Sequence, residues 1–263
     1  GSDYGKIAFY ADKVVNAPGG TMSGDYLFAT INGVNTLAAY LGDGTELVLP
    51  ANYNGESYEI ADYVFADLDG FDSLVIPAGV EHIGNYAFNG CTSLKNLRIE
   101  DGETELLFGS YPAFPGCPLE TLYIGRDLEY KTDINYIEPT FASITTLKNV
   151  TFGDYVTEID EHCFWGCTGL TGIELSDNIK VIGANSFRDC TNLSYINLNN
   201  VESISVEAFK GCTALTDISI PASVTNISVE SFLECTNLKT VINFSDLTLT
   251  AGSEDNGHVA DYA

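Results

Sequence analysis

Residues 212–235 read CTALTDISIPASVTNISVESFLEC, and this phrase recurs along the chain. Each copy has a Cys and a Leu three residues after it. Aliphatic residues stand six and usually eight residues after the Cys. A V/I-x-x-I pair follows, and then a Phe three residues before the next Cys. The cysteines at 167, 190, 212 and 235 are separated by 23, 22 and 23 residues. Apolar positions that return at fixed offsets indicate a repeat protein.

The same frame extends toward the N-terminus. Cys91 and Cys117 begin two further copies, while Leu41, Leu68 and Ile144 take the place of the Cys in three others. Copies therefore start at 41, 68, 91, 117, 144, 167, 190 and 212, with a partial ninth at 235. Each copy of 22 to 27 residues has too little apolar surface to fold alone. The copies are therefore predicted to stack into a solenoid.

The pattern within one copy predicts its local structure. The L-x-I element alternates between apolar and polar residues and is typical of a strand, so successive copies should form a parallel sheet. The V/I-x-x-I pair is predicted to run along the opposite wall. The short segment that holds the Phe is predicted to be a helical or 3₁₀ turn. The expected architecture is thus a β-rich α/β solenoid.

The stretch LTDISIPASVTNISVESFLEC resembles the leucine-rich repeat of the BspA type, also called the Treponema pallidum type. The resemblance covers about residues 25–250 and implies an α/β leucine-rich-repeat solenoid. Such repeats are common in surface proteins of gut and oral anaerobes such as Bacteroides. Membership implies export, often as a lipoprotein, and binding of host proteins or other cells. It supplies no ligand, because partners differ among members.

The ends of the chain suggest caps and a larger parent protein. Two apolar runs around Asn32-Gly33 predict a β-hairpin that caps the first repeat. We therefore divide the chain into an N-terminal segment (1–24, the end of a preceding block or a linker), a hairpin cap (25–40), the solenoid (41–243) and a C-terminal capping segment (244–263). YGKIAFYA at the start matches NGHVADYA at the end, which favours one block of a tandem series; a chance match is the alternative.

Composition excludes several classes of function. The chain carries 37 acidic residues against 11 Lys and Arg, a formal charge of −26. Such a surface disfavours nucleic acids and anionic lipid, and it suits solubility, cationic partners or loosely held Ca²⁺. No apolar run approaches the roughly 18 residues that a bilayer span needs, so no membrane insertion of this segment is expected.

The stretch EHCFWGC at 161–167 suggests a metal site, a redox pair or a catalytic thiol, but the repeat frame favours a structural role. Cys167 is the repeat's own Cys, Cys163 fills a small-residue position and Phe164 is core. His162 falls in a variable polar column, and Trp165 is predicted to be exposed on the turn side. Leu and Ile substitute for the Cys, so structural thiols are favoured over disulfides or metal at Cys91, Cys117, Cys167, Cys190, Cys212 and Cys235.

Nothing else in the sequence predicts chemistry. His82 lies in a variable column and is expected to be exposed, about 14 Å of stacking from His162, so the two cannot form a metal site or a catalytic pair. Residues 67–72 read DLDGFD and faintly resemble a calcium loop, but Ala78 stands where the bidentate Glu would be. We therefore expect no enzyme activity and no cofactor.

The exposed strand positions can bind a partner. They are predicted to be Glu46 and Val48, Ser73 and Val75, Asn96 and Arg98, Thr121 and Tyr123, Asn149 and Thr151, Gly172 and Glu174, Tyr195 and Asn197, and Asp217 and Ser219. Tyr and Arg are enriched at binding hot spots, so Arg98, Tyr123 and Tyr195 are the first predicted contacts, with Trp165 as a further one. The alternative is that they are ordinary solvated side chains.

These observations favour a non-catalytic module of the bacterial cell surface. It would be secreted or anchored at the outer surface, monomeric, and would bind an extracellular host or bacterial protein or glycan in adhesion. The alternative is a structural spacer block of a larger surface protein that has no ligand of its own.

Overall fold

The computed structural model describes residues 19–42, 47–130 and 139–250. The two matching terminal stretches, and Glu46, lie outside the described residues. The strands in chain order are β1 (Thr21–Ser23), β2 (Tyr26–Ile31), β3 (Val34–Tyr40), β4 (Tyr58–Ile60), β5 (Ser73–Ile76), β6 (Val80–Ile83), β7 (Asn96–Ile99), β8 (Leu106–Phe108), β9 (Thr121–Arg126), β10 (Leu128–Tyr130), β11 (Asn149–Tyr155), β12 (Glu158–Ile159), β13 (Gly172–Glu174), β14 (Val181–Ile182), β15 (Tyr195–Asn197), β16 (Ser203–Ile204), β17 (Asp217–Ile220), β18 (Asn226–Ile227) and β19 (Thr240–Asn243).

Two walls of parallel strands confirm the predicted solenoid. The first wall holds the L-x-I elements, with β11-β9-β7-β5, β13-β15 and β17-β19 hydrogen-bonded as sheets. The second wall holds β4-β6-β8-β10 and β12-β14-β16-β18. Equivalent residues of successive repeats pair in register, as Leu97 does with Leu122 and Ile99 with Ile124. Because the pleat alternates, these aliphatic residues point inward together.

The third wall, which we call the turn wall, differs from the prediction. It runs in each repeat from the end of the second-wall strand to the Cys, and it contains no helix in the described part of the chain. In the repeat of Phe187, the Ser186 and Arg188 amides donate within the turn, whereas the Phe187 and Asp189 amides donate to the next repeat. A helix would need every amide to bond within its own repeat.

Left-handed residues make this alternation possible. Asn185 and Asp189 have φ values of 56° and 58°, and equivalent positions in other repeats are left-handed too. The Gly before the Cys supplies this conformation at Gly166 and Gly211, with φ of 71° and 73°. Glycine adopts positive φ without a steric penalty.

Two stacked columns fill the centre of the solenoid. Phe rings of successive repeats stack, with centroids 4.8 Å apart for Phe65 and Phe88 and 5.0 Å for Phe209 and Phe232. The repeat cysteines lie beside them, buried and free. Each thiol donates to the carbonyl of the Phe two repeats earlier, as Cys190 Sγ does to Phe164 O at 3.1 Å. The Cys is therefore both a small apolar residue and a hydrogen-bond donor.

The predicted N-terminal hairpin is present. Strands β2 and β3 pair antiparallel around Asn32 and Gly33, both with positive φ, as a tight two-residue turn requires. Strand β1 adds a third antiparallel strand, and β3 pairs in parallel with β4. The hairpin thus continues the second wall. The division of the chain into segments stays a prediction.

Arg126 is a charged residue inside the solenoid, which the sequence pattern does not predict. It is fully buried, and its guanidinium donates to the carbonyls of Pro77, Ala78 and Val80 at 2.9 to 3.1 Å. Burial lowers its pKa. These bonds tie the repeat that begins at Cys117 to the repeat that begins at Leu68.

Candidate functional site

The outward side chains of the first wall form the surface that we call the front face. It consists of the exposed or half-buried residues of β5, β7, β9, β11, β13, β15 and β17, whose neighbours in each strand are buried. Most of its residues are small and polar. Arg98, Tyr123 and Tyr195 are the large side chains that sequence reasoning singled out there. The expected alternation is thus confirmed for the described strands.

Arg98 and Tyr123 form one preorganised cluster with Asp101. The two residues lie opposite each other on β7 and β9, and the Arg98 Cζ stands 3.8 Å from the Tyr123 ring centroid. The Tyr123 hydroxyl donates to Asp101 Oδ1 at 2.7 Å, and Arg98 Nη2 donates to Asp101 Oδ2 at 3.2 Å. Partial burial and the Asp101 carboxylate raise the pKa of Tyr123. We call these three residues the RYD cluster; sequence reasoning missed Asp101.

A hollow of about 340 Å³ lies over this part of the front face. Arg98 and Tyr123 line it together with Val75 and Thr151 from the flanking strands. Its volume falls at the lower end of the range for small-ligand sites. The cationic and aromatic groups are held by bonds within the cluster, so a partner would not have to order them on binding.

Tyr195 stands apart from the RYD cluster. It is 50% exposed on β15, and its ring lies over Gly172, where an added Cβ would be 3.6 Å from the Tyr195 Cδ1. Strands β11 and β13 lie between Tyr195 and Tyr123, which corresponds to about 14 Å of stacking. The front face therefore carries one cluster and one separate aromatic residue.

Trp165 lies on the turn wall and is half-buried, so the expectation of an exposed side chain is wrong, while its role as a contact residue stays a prediction. Its Nε1 donates to Asp189 Oδ2 at 3.1 Å, and the Arg188 Cζ lies 5.5 Å from its ring centroid. The His162 ring packs against it at 5.6 Å. His162 of the same repeat and Arg188 and Asp189 of the next repeat thus cover the indole.

The chemistry suggested by EHCFWGC is not assembled. Cys163 and Cys167 are buried, and burial raises the pKa of Cys167 to about 12, whereas a reactive thiol has a lowered pKa. Burial lowers the pKa of His162. No group of three or more His, Cys, Asp or Glu residues that could hold a metal ion occurs in the described ranges.

His82 is buried, at 9% exposed, so the expectation of an exposed position is wrong. Its Nδ1 lies 3.6 Å from a carboxylate oxygen of Glu59. The residue stands on β6 between Glu59 of β4 and Leu107 of β8, and these flanking strands cover it. The variable composition of its column gave no sign of this burial.

Comparisons with known proteins identify the class. The family model described as BspA type leucine rich repeat region matches in six copies over residues 58–136 and 127–239. The chain therefore belongs to the BspA-type leucine-rich-repeat family of bacterial surface proteins. No curated protein sequence matches it.

Solved structures support the fold. A leucine rich cell surface protein from Faecalibacterium prausnitzii A2-165 is 28% identical, with a TM-score of 0.54 over 88% of this chain. This chain spans 56% of that protein's length. A leucine-rich repeat protein from Bacteroides ovatus is 21% identical, with a TM-score of 0.51 over 89% of this chain and 72% of its own. Among the described residues, no helix is long and apolar enough to span a bilayer.

Proposed function

We propose that the chain is a non-catalytic binding module of a bacterial surface protein and that it recognises an extracellular protein or glycan in adhesion. The observation that carries this proposal is the RYD cluster, a fixed guanidinium and phenol on the rim of a hollow in an otherwise small, polar face. Arg and Tyr contribute a large share of binding energy at interfaces.

The proposed location is the outer cell surface, by secretion or anchoring. The repeat family and the Faecalibacterium relative, which is described as a cell surface protein, support this location. We propose a monomer that needs no cofactor. The charge of −26 supports a partner that is neither nucleic acid nor anionic lipid.

A spacer without a ligand is the second candidate. The front face between Tyr123 and Tyr195 carries mostly small or polar residues such as Asn149, Thr151 and Gly172, with Tyr155 at the end of β11 as an exposed exception. A face with so few anchors suits a block whose task is to separate other domains. The stacked core supports this role equally well.

An array experiment separates the two candidates. The biotinylated chain is applied to printed mammalian glycans and recombinant human extracellular proteins at physiological salt. A binding module is expected to retain a small set of related spots that soluble ligand competes away. A spacer retains none, and an array without competable spots would therefore reject the binding proposal.

A further inference from the structure

A second aromatic feature lies on the turn wall, away from the front face. Tyr63, Tyr86 and Tyr111 come from three successive repeats and stack with ring centroids 5.2 and 5.5 Å apart and interplanar angles of 27° and 21°. The end residues Tyr63 and Tyr111 are 53% and 41% exposed. We call these three residues the tyrosine ladder.

The backbone holds the ladder in place. The Tyr63 amide donates to Asn85 O at 3.1 Å, and the Tyr111 amide donates to Asn85 Oδ1 at 2.9 Å. Asp62 Oδ1 accepts the Asn85 amide at 2.7 Å. One Asn therefore bonds the repeats on both sides of it, so the rings form a preorganised surface.

The stretch of chain that contains Tyr63 and Tyr86 is acidic. Residues 14–94 include no Lys or Arg, and their acidic residues are Asp25, Asp43, Glu46, Glu56, Glu59, Asp62, Asp67, Asp69, Asp72 and Glu81. Asp62, Asp67 and Asp69 are exposed close to Tyr63 in the chain. Tyr63 and Tyr86 thus lie in a stretch of sequence with ten acidic residues and no Lys or Arg.

Elsewhere the same molecule pairs such groups with its own cations. On the turn wall near the other end, Glu207 contacts Arg188 and Lys210, and Arg188 lies over Trp165. On the front face, Arg98 lies over Tyr123. In both places a guanidinium takes the position between an aromatic ring and a carboxylate. Among the described residues, no guanidinium or ammonium group lies over the rings of Tyr63 and Tyr111.

We propose that the tyrosine ladder binds an arginine-rich segment of a partner protein. Guanidinium planes would lie on the exposed rings of Tyr63 and Tyr111, and nearby carboxylates such as that of Asp67 would balance their charge. Arginine suits this surface better than lysine because its planar group stacks on rings. The surface is separate from the RYD cluster, so either proposal can fail alone.

Fluorescence anisotropy with a labelled nona-arginine peptide in 150 mM salt tests the proposal. Exposed cation–π contacts contribute about two- to fivefold each, so Tyr63→Ala with Tyr111→Ala should weaken binding by about five- to twentyfold. Tyr63→Phe with Tyr111→Phe should stay within about twofold of the wild type, because the rings remain. A nona-lysine peptide should bind more weakly than nona-arginine.

Phe244→Ala is the matched control, because it removes an exposed ring that belongs to neither proposed surface and leaves net charge unchanged. It should leave the affinity for nona-arginine intact. Each single Ala variant should show part of the loss, which keeps the test valid if the double variant does not fold. Equal affinity of the wild type and the Tyr63 and Tyr111 variants would overturn the proposal, because net charge alone would then explain binding. An equal loss with Phe244→Ala would overturn it too.

Discussion

The role of each cysteine, histidine and aromatic residue is set by its position in the repeat. The Cys column is a set of buried donors to Phe carbonyls, from Cys91 to Phe65 O at 3.2 Å through Cys235 to Phe209 O at 3.1 Å. A Phe carbonyl can accept two bonds, and the amide three residues later supplies the other, as Leu68 N does at Phe65 O and Cys212 N does at Phe209 O. This second bond gives a physical reason for a thiol where Leu or Ile would fill the space.

The ionised carboxylate of Asp160 is expected to destabilise the folded protein, which can be tested. Burial raises its pKa to about 8, and the neighbouring carboxylates of Glu158, Asp127, Glu105 and Glu129 add to the effect. Because the folded pKa lies above the unfolded value of about 3.9, the folded state binds the extra proton between these values. This contribution to stability is present below pH 4 and is lost as pH rises toward 8.

Replacing Asp160 with Asn should therefore stabilise the protein at pH 7.5 by on the order of 2 kcal/mol, because Asn resembles the protonated acid. Urea unfolding at pH 4, 6 and 7.5 measures the effect, and the difference from wild type should widen as pH rises. Asp154→Asn removes the same charge from an exposed position and should give a smaller, flatter difference. Equal pH profiles for the two variants would contradict the role given to Asp160.

For single residues, the sequence predicts burial correctly where the position in the repeat alone determines it. It correctly predicts burial of Cys167 and Phe164, because their columns hold small apolar and aromatic residues. It misses Arg126, His82 and the cover over Trp165, because these depend on side chains of neighbouring repeats. An alignment of the repeats shows residues that recur at the same position, whereas each of these contacts occurs in one repeat only. The sequence pattern did not identify Asp101 as part of the RYD cluster for the same reason.

At the scale of the element, strands are predictable from periodicity and the turn wall is not. Apolar alternation identifies the first wall, and V/I-x-x-I identifies the second. The Phe segment has helix-like spacing, yet its amides are shared between two repeats. The signal that could have revealed this is the Gly before the Cys at Gly90, Gly116, Gly166 and Gly211, all with positive φ. Repeated Gly at one offset indicates a left-handed position.

Glu234 occupies this left-handed position with φ of 63°, and it is exposed. Glu234→Gly should raise the free energy of unfolding by about 0.5–1 kcal/mol, because relief of the left-handed strain exceeds the entropy cost of Gly. Thermal and urea unfolding measure the gain. Glu234→Ala is the control, since it removes the charge and keeps the Cβ. If Ala stabilises as much as Gly, charge is the cause and the backbone explanation is wrong.

At the scale of the whole molecule, each repeat contacts mainly its neighbours, so stability is close to a sum along one axis. The reactivity of each buried cysteine measures the local stability of its own repeat along this axis. Burial raises the pKa of Cys190 and Cys212 as well, so folded thiols should resist alkylation. Unfolded protein should expose all seven free cysteines.

Pulsed alkylation with mass spectrometry should therefore show an order along the solenoid. In low urea, Cys235 should label before Cys190, because only the partial ninth repeat covers it and terminal repeats fray. Cys190 should label only with global unfolding. Equal labelling of the two cysteines at low urea would contradict repeat-by-repeat stability.

The central claim is that the front face binds its partner through the RYD cluster. Interferometry with a ligand from the array tests it with three proteins: wild type, the Arg98→Ala and Tyr123→Ala double variant, and Phe244→Ala as an exposed-ring control outside both proposed surfaces. Loss of two anchors should raise the Kd at least about thirtyfold, with the control within about twofold of wild type. A double variant that binds as tightly as wild type would contradict the claim.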